Sequence, residues 1–460
     1  MGNKVELTRR RILQTGVGGG AACLASSAFA TELNPERTIT LRPRVHPKGW
    51  LTYGDNATQH PLRVRPHTPY KVIIENGLEV DTSVHWHGQR VVNAVDGVPG
   101  ITQEPIKPGE RYEQTVVFPD PGTHWYHPHL DSHATVGRGL VGALIVEEET
   151  PAPFDHDITA LTSRHLVTQD GAIYPNFGEL FNTRFPDGAT WSWRINSAAA
   201  IPHTAAANAH IRLRLINASA MVPFTVEQPD IAALIIATDG HPVATPRALE
   251  GPLKIWPGQR YDLALKMPNR PIDLTTEEGF ALASLHPSGT AAPETAAPRL
   301  PLNPLAKPNL AEAVTFPLTL TRDTQSFTES AIAAFNQLRG YADNRGADWR
   351  LNGVSLYEDA LCGEGGPPLF VARKGETVRL NITNHSVNHH PMHIHGHSFY
   401  VVARGGVPVT SLDVHDTIDV ESHSSTEIAF VADNPCRWMV HCHDLRHQMQ
   451  GMMGYFVVEG

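Results

Sequence analysis

An all-β chain made of three copies of one β-sandwich is the fold this sequence predicts, on three observations. Short alternating stretches broken by Gly, Pro, Asn and Asp run along most of its length, the pattern of half-buried strands joined by turns. One stretch recurs three times and always ends in Asn: Tyr70 to Asn76, Ile211 to Asn217 and Thr377 to Asn384. A turn-and-strand opening, Lys107-Pro108-Gly109-Glu110-Arg111-Tyr112, returns as Trp256-Pro257-Gly258-Gln259-Arg260-Tyr261. The third copy keeps the following strand, Thr426 to Val431, without the Pro-Gly turn. Three repeats of one sandwich explain all of this economically.

Taken in order, residues 1–30 read as an export leader. Thr8-Arg9-Arg10-Arg11-Ile12-Leu13 is a twin-arginine pattern, Gly16 to Ser27 is weakly apolar, and Ala28-Phe29-Ala30 places small residues where a signal peptidase reads. Cleavage is expected after Ala30, and the mature protein in the periplasm. The apolar run falls short of the ~20 residues that span a bilayer, and the setting of Cys23 does not predict a lipid anchor. The first sandwich is expected over 31–148 and the second over 155–286, separated by the acidic, Pro-containing stretch Glu147 to Pro153. Pro287, Pro293, Pro298, Pro301, Pro304 and Pro308 make 287–312 a stiff, extended connector. The third sandwich is expected over 313–460. Within it 325–340 looks locally helical, through Ala331, Ile332, Ala334, Phe335 and Leu338, and reads as a small insertion.

Composition narrows the function. The 460 residues are 41 % apolar and 18 % charged, as in an ordered globular protein. There are 37 Lys and Arg against 47 Asp and Glu, a formal charge of −10; losing Lys4, Arg9, Arg10, Arg11 and Glu6 with the leader takes it to −13. So acidic a chain is not built to wrap nucleic acid. Of four Cys, one leaves with the leader, and the remaining three cannot build a disulfide fold. Cys362 and Cys436 are left open between a bridge and two unpaired thiols.

The informative residue is histidine, with 26 copies. His85-Trp86-His87, His127-Pro128-His129, His393-Ile394-His395 and His441-Cys442-His443 each place two His at i and i+2. On a strand those two rings share a face. Neutral imidazole is the commonest metal ligand, and a zinc site stops at about four ligands, so eight nitrogens imply a metal cluster. Cys442 lies between the last pair and points to the opposite face. There Cys442, His447, Met452 and His390 would supply a thiolate, two imidazoles and a weak thioether, the ligand set of a blue-copper electron-transfer site. One strand would then touch one copper with its thiolate and a separate cluster with the flanking rings, a short covalent path for electrons.

The runs His390-Pro391-Met392-His393-Ile394-His395-Gly396-His397 and His441-Cys442-His443 with His447 and Met452 resemble the copper signatures of multicopper oxidases. So do His85-Trp86-His87-Gly88 and Trp125-Tyr126-His127-Pro128-His129. The likeness extends over nearly the whole mature chain. It implies three cupredoxin-like Greek-key β-sandwiches and four copper ions: one type 1, one type 2 and a type 3 pair. By resemblance, His390, Cys442, His447 and an axial Met452 hold type 1. His85 and His393 hold type 2. His87, His127, His129, His395, His441 and His443 hold the type 3 pair, leaving the middle sandwich without ligands. The catalytic residues implied are Cys442, His441 and His443 as the electron path, and Asp96 as the carboxylate that supplies protons.

Departures from the family pattern are equally specific. Glu104 stands where many laccases have Cys. Arg446 and Gln448 flank His447 where carboxylates are frequent, and Arg446 is expected to raise the type 1 potential. His124, His133, His389, His397, His415 and His423 are expected to orient ligands or lie in solvent. Trp86 and Trp125 are expected to pack the sandwich, and Met392, Met449 and Met453 are left open between filling space near type 1 and contacting substrate. The resemblance implies four one-electron oxidations coupled to reduction of O2 to water. Only eight Met, none in a run beyond Met452-Met453, lean toward phenols or aryl amines as reductants. The alternative is a metallo-oxidase for Cu(I) or Fe(II) serving copper tolerance, and behind it a non-catalytic cell-envelope relative. A copper nitrite reductase has no use for a type 3 pair. No nucleic acid, no membrane anchor and a monomer complete the expectation.

Overall fold

The first sandwich of the computed structural model is built from β1 (Arg37–Leu41), β2 (Leu62–Val64), β3 (Pro69–Glu75), β4 (His85–His87), β5 (Arg111–Val117), β6 (Gly122–His127), a short helix α1 (Ser132–Gly137) and β7 (Gly142–Val146). Its two sheets run β1-β3-β5 and β2-β7-β6-β4. The second contains β8 (His156–Val167), β9 (Thr190–Ile195), β10 (His210–Asn217), β11 (Ala233–Thr238), β12 (His241–Ala248) and β13 (Arg260–Lys266), in the order β9-β8-β10-β13-β11-β12. The third contains β14 (Val314–Asp323), β15 (Val371–Arg373), β16 (Thr377–Asn384), β17 (His390–Ile394), β18 (Phe399–Arg404), β19 (Thr417–Val420), β20 (Ser425–Val431), β21 (Cys436–Cys442), α2 (Leu445–Met449) and β22 (Met453–Glu459). The structure describes residues 37–54, 60–174, 188–196, 202–227, 232–323, 348–356 and 366–460. The expected leader, the expected helical insertion at 325–340 and Cys362 lie outside the described residues.

The repeat seen in the sequence is a repeat of structure. Each Asn-ended stretch is a central strand, β3, β10 or β16. It is flanked by a parallel strand from the start of its copy (β1, β8, β14) and by an antiparallel one (β5, β13, β20). The Asn itself has a physical job. Asn76 Nδ2 donates to the carbonyls of Val80 and Ile106, Asn217 Nδ2 to those of Val222 and Ile255, and Asn384 Nδ2 to those of Asn388, Val420 and Glu421. Each Oδ1 accepts the N–H two residues on, from Leu78, Ser219 and Ser386. An Asx turn thus ends the strand while satisfying buried carbonyls across the sandwich.

Apolar alternation fills one core per sandwich, with Trp86 and Phe118 in the first, Phe224 in the second, and Trp438, Phe430 and Phe456 in the third. Residues 288–313 contain neither strand nor helix. The connector is tied down by Asn303, whose Nδ2 donates to Pro121 O and to His241 Nδ1. Two antiparallel pairs matter for function: β4 with β6 in the first sandwich, and β17 with β21 in the third. Their registers set His85 opposite His127, and His393 opposite His441. Among the described residues, no helix is long and apolar enough to cross a membrane.

Candidate metal centre

The four His-x-His segments meet. His85, His87, His127, His129, His393, His395, His441 and His443 are all buried. Rings of the first sandwich interleave with rings of the third. His85 stacks on His395 with centroids 3.9 Å apart, and His87 stacks on His393 at 3.8 Å. His127 meets His443 edge-on at 5.3 Å, and the Nε2 atoms of His129 and His441 face each other at 3.3 Å. The ligand atoms of His85, His393 and His395, of His85, His87 and His127, and of His129, His395 and His441 lie within 4.8 Å of one another in each group.

Six of these rings are held by one nitrogen. His85 Nδ1 donates to Asp96 O, His127 Nδ1 to Pro128 O, His393 Nδ1 to Asp416 O, His395 Nδ1 to Asp96 Oδ2 and His441 Nδ1 to Cys442 O, all at 2.9–3.0 Å. His87 uses Nε2 instead, at 3.1 Å from Asp416 Oδ1. A ring that donates from one nitrogen offers a lone pair on the other. Those other atoms, Nε2 of His85, His127, His393 and His395 and Nδ1 of His87, find no hydrogen-bond partner among the described residues, and neither do both nitrogens of His443. Buried, unpartnered polar atoms are costly, and so many lone pairs aimed at one another require cations. Protons are a poor answer. Burial, then the neighbouring imidazoles, hold His87, His127, His129, His395, His441 and His443 well below the ordinary imidazole range. Neutral nitrogens converging on metal ions satisfy the geometry.

Across strand β21, Cys442 Sγ lies 3.6 Å from His390 Nδ1 and 3.7 Å from His447 Nδ1, and the two nitrogens are 3.2 Å apart. His390 Nε2 is fixed by Ser386 Oγ at 2.8 Å. Met452 packs in the same core as Cys442. Its N–H donates to His447 O and its carbonyl accepts from Cys442 N–H, so its backbone is stitched to both. Trp349 covers His390 and His447 at 4.8 and 4.5 Å between centroids. Burial, then Asp444, push the Cys442 thiol well above its ordinary range, so the thiolate is a form that a bound metal draws out. Two imidazoles, a sulfur and a buried thioether suit copper.

Asp96 is fully buried between the strands it serves. Its Oδ2 is 2.9 Å from His395 Nδ1 and its Oδ1 3.2 Å from His85 Nδ1. Arg446 is not the lone cation the sequence suggests. Its guanidinium lies on Asp444, Nε at 3.1 Å and Nη2 at 2.8 Å. Burial opposes ionisation of Asp444, yet His447 and Arg446 bring its carboxyl down to about 2. The positive charge that the sequence places beside His447 therefore stands against an ionised carboxylate. Trp86 packs the first core as expected, but Trp125 also walls the cluster, stacked on His127 at 4.3 Å. His124, His397 and His415 hydrogen-bond to protein acceptors, Asp120 O, His395 O and Asp239 Oδ2. His389 pairs with Asp419.

Sequence reasoning missed Asp416. It belongs to no pair and no motif, yet it is buried against His87 and forms a group with His87 and His393. It also missed Arg260, whose guanidinium takes both Asp416 oxygens at 2.8 and 2.6 Å. The signal for Arg260 was present, since it closes the repeated Pro-Gly-x-Arg-Tyr turn.

Three β-sandwiches that present an imidazole cage on one face of a strand and a Cys/His/His set on the other define an oxidoreductase working with several copper ions. Comparison with known proteins agrees. Residues 37–151 and 343–460 each match a family model described as multicopper oxidase. The chain belongs to the multicopper oxidase family, whose members bind four coppers. It is 26 % identical to "Multicopper oxidase MmcO" of Mycobacterium tuberculosis, over 98 % of this chain and 96 % of that one. Two relatives with more specific names are "Laccase-2" of Podospora anserina, 28 % identical (83 % of this chain, 70 % of the other), and "Iron transport multicopper oxidase FET3" of Candida albicans, 25 % identical (89 % and 73 %). Among solved structures, a multicopper oxidase from Pseudomonas parafulva is 30 % identical with a TM-score of 0.72, over 91 % of this chain and 100 % of that one. Another, from Pseudomonas thermotolerans, is 28 % identical with a TM-score of 0.77, over 92 % and 99 %.

Proposed function

We propose that the protein is a laccase-like oxidase that takes single electrons from phenols or aryl amines and couples four such oxidations to the reduction of O2 to water. The observation that carries this reading is strand β21, on which Cys442 faces His390 and His447 while His441 and His443 face the imidazole cage. In this reading His390, Cys442, His447 and Met452 would hold the type 1 ion, His85 and His393 the type 2 ion, and His87, His127, His129, His395, His441 and His443 the type 3 pair. When bound, copper supplies one-electron redox chemistry at the first site and four-electron delivery to O2 at the second.

The chain supplies the rest. The hydrogen bonds at the outer nitrogens aim the lone pairs inward before any metal arrives. Trp125 and the buried strands exclude water from the cage. Asp96, in contact with rings from both sandwiches, holds and moves the protons that water formation consumes. Asp444 Oδ2, 3.8 Å from His447 Nε2, is the anionic group beside the edge where an organic reductant docks. The domain division at 31–148, 155–286 and 313–460, twin-arginine export with cleavage after Ala30, a periplasmic location and a monomeric state belong to the same proposal.

A metallo-oxidase acting on Cu(I) or Fe(II) is the second reading, supported by the acidic balance of the chain and by the similarity to an iron-transport relative. Oxygen uptake by the copper-loaded protein, measured in parallel with a phenol, an aryl amine, Cu(I) and Fe(II), separates them. Faster turnover with the organic reductants at four electrons per O2 is expected. Turnover confined to the metal ions overturns the substrate assignment, and no uptake with any reductant overturns the oxidase.

A further inference from the structure

The second sandwich carries no candidate ligand, yet one of its turns closes the cage. Gly258 adopts φ +90°, and a Cβ there would sit 3.0 Å from His443 Cγ and 3.2 Å from His87 Cε1. Gln259 Nε2 donates to Thr417 O at 3.1 Å. Arg260 follows, fully buried, with all five N–H groups engaged. Nε donates to Thr123 O, Nη1 to Gly258 O and Asp416 Oδ1, and Nη2 to Asp239 O and Asp416 Oδ2. These acceptors come from all three sandwiches. Asp416 in turn contacts His87 Nε2 through Oδ1, accepts from Thr417 Oγ1 at 2.9 Å, and holds His393 Nδ1 on its main-chain oxygen. Space for the ion pair is left by Gly88, where a Cβ would strike both Arg260 and Asp416. The matching residue of the first sandwich, Arg111, is half exposed and pairs with Glu75 and Glu113 at the surface. One repeated turn has therefore been turned to a new use in the second copy.

We infer that Arg260 is a positioning residue for the copper cluster: by clamping Asp416 in a two-pronged pair, it fixes the rings of His87 and His393, so docking of the second sandwich sets occupancy at a cluster that sandwich does not ligate. The inference rests on the copper assignment proposed above. A planar fork held at two oxygens leaves a carboxylate no freedom to turn, which an ammonium held at one point does not achieve. Partners behind a ligand typically change metal affinity ~10–100-fold when removed.

The test uses the full chain loaded with copper: wild type, Arg260→Met, Arg260→Lys, and Arg90→Met as control. Arg90 bridges Asp120 of the first sandwich and Asp433 of the third, but does not touch Asp416. Copper stoichiometry, the type 2 electron-paramagnetic signal, the blue absorption and the thermal midpoint are read on each. Arg260→Met is expected to keep the blue absorption while binding cluster copper ~10–100-fold more weakly and losing the type 2 signal. Arg260→Lys should fall between it and wild type, and Arg90→Met should lose thermal stability with four coppers retained. A full complement with an unchanged type 2 signal in Arg260→Met overturns the inference, as does equal copper loss in Arg90→Met. If Arg260→Met fails to fold, Arg260→Lys decides by the same criteria, wild-type loading and signal counting against the inference. A wild type that binds no copper refutes the underlying copper assignment instead.

Discussion

Replacing Asp96 with Asn isolates proton supply from architecture. The amide oxygen of Asn can still accept from His395 Nδ1, where Asp96 Oδ2 now stands at 2.9 Å. His85 keeps its tautomer because its Nδ1 proton goes to the main-chain carbonyl of residue 96, not to the side chain. The exchange therefore keeps an acceptor for each ring, puts an amide NH2 in place of the oxygen 3.2 Å from His85 Nδ1, and removes the proton carrier. Positioned acid–base groups contribute ~10²–10⁴ in rate, equivalent to about 3–5 kcal/mol of barrier. The assay is stopped flow in two halves: anaerobic reduction by a phenol followed at the blue band, then reoxidation by O2. Bleaching should keep its wild-type rate, copper content should stay at four, and reoxidation should slow by ~10²-fold or more. Reoxidation within a factor of two of wild type refutes the role of Asp96.

Three further outcomes follow from the geometry. Asp444→Asn removes the anion beside His447 and leaves Arg446 uncompensated; a unit charge at about 6 Å and an effective dielectric of about 20 is worth roughly 3 kcal/mol. The type 1 potential should therefore rise by up to about 0.1 V, and a redox titration showing a fall contradicts this. Gly258→Ala forces a side chain into φ +90° and toward His443, at a cost of order 1–3 kcal/mol; a lower thermal midpoint with weakened cluster copper is expected, and wild-type values for both mean that the turn does not roof the cage. Burial first of all lowers His124 to about 3 and His165 and His241 to about 4. The unfolded chain protonates these residues near 6.5 while the fold resists. Stability of the copper-free protein should thus be full above about pH 6.5 and fall on acidification toward pH 4, by up to ~1.4 kcal/mol per pH unit for each residue. A urea midpoint that stays level from pH 7 to pH 4.5 contradicts that.

The readable part of the site was the part written within single strands. A period of two puts His85 with His87, and His441 with His443, on one face, and displays Cys442 on the other, whatever surrounds them. The Asn-ended strands were legible for a similar reason, since an Asx turn is local. Arg260 and Asp416 stand 156 residues apart, and their pairing is made by docking of sandwiches, which no local pattern records. Arg111 and Arg260 hold the same place in the shared Pro-Gly-x-Arg-Tyr pattern, yet one meets solvent and the other a buried carboxylate. The partner of Arg446 was not legible, because Asp444 is recruited by the first turn of α2, where the aspartate caps the helix and so turns its carboxylate toward the guanidinium.

Because the cage interleaves rings from opposite ends of the polypeptide, its two halves are synthesised far apart in time. His85 to His129 emerge more than 250 residues before His390, and His441 to His447 some fifty residues later still. A nascent or truncated chain therefore holds half a cage, four imidazoles with nothing opposite them. Both centres therefore wait for β21 and α2, and a single cut ahead of β21 removes ligands from both at once.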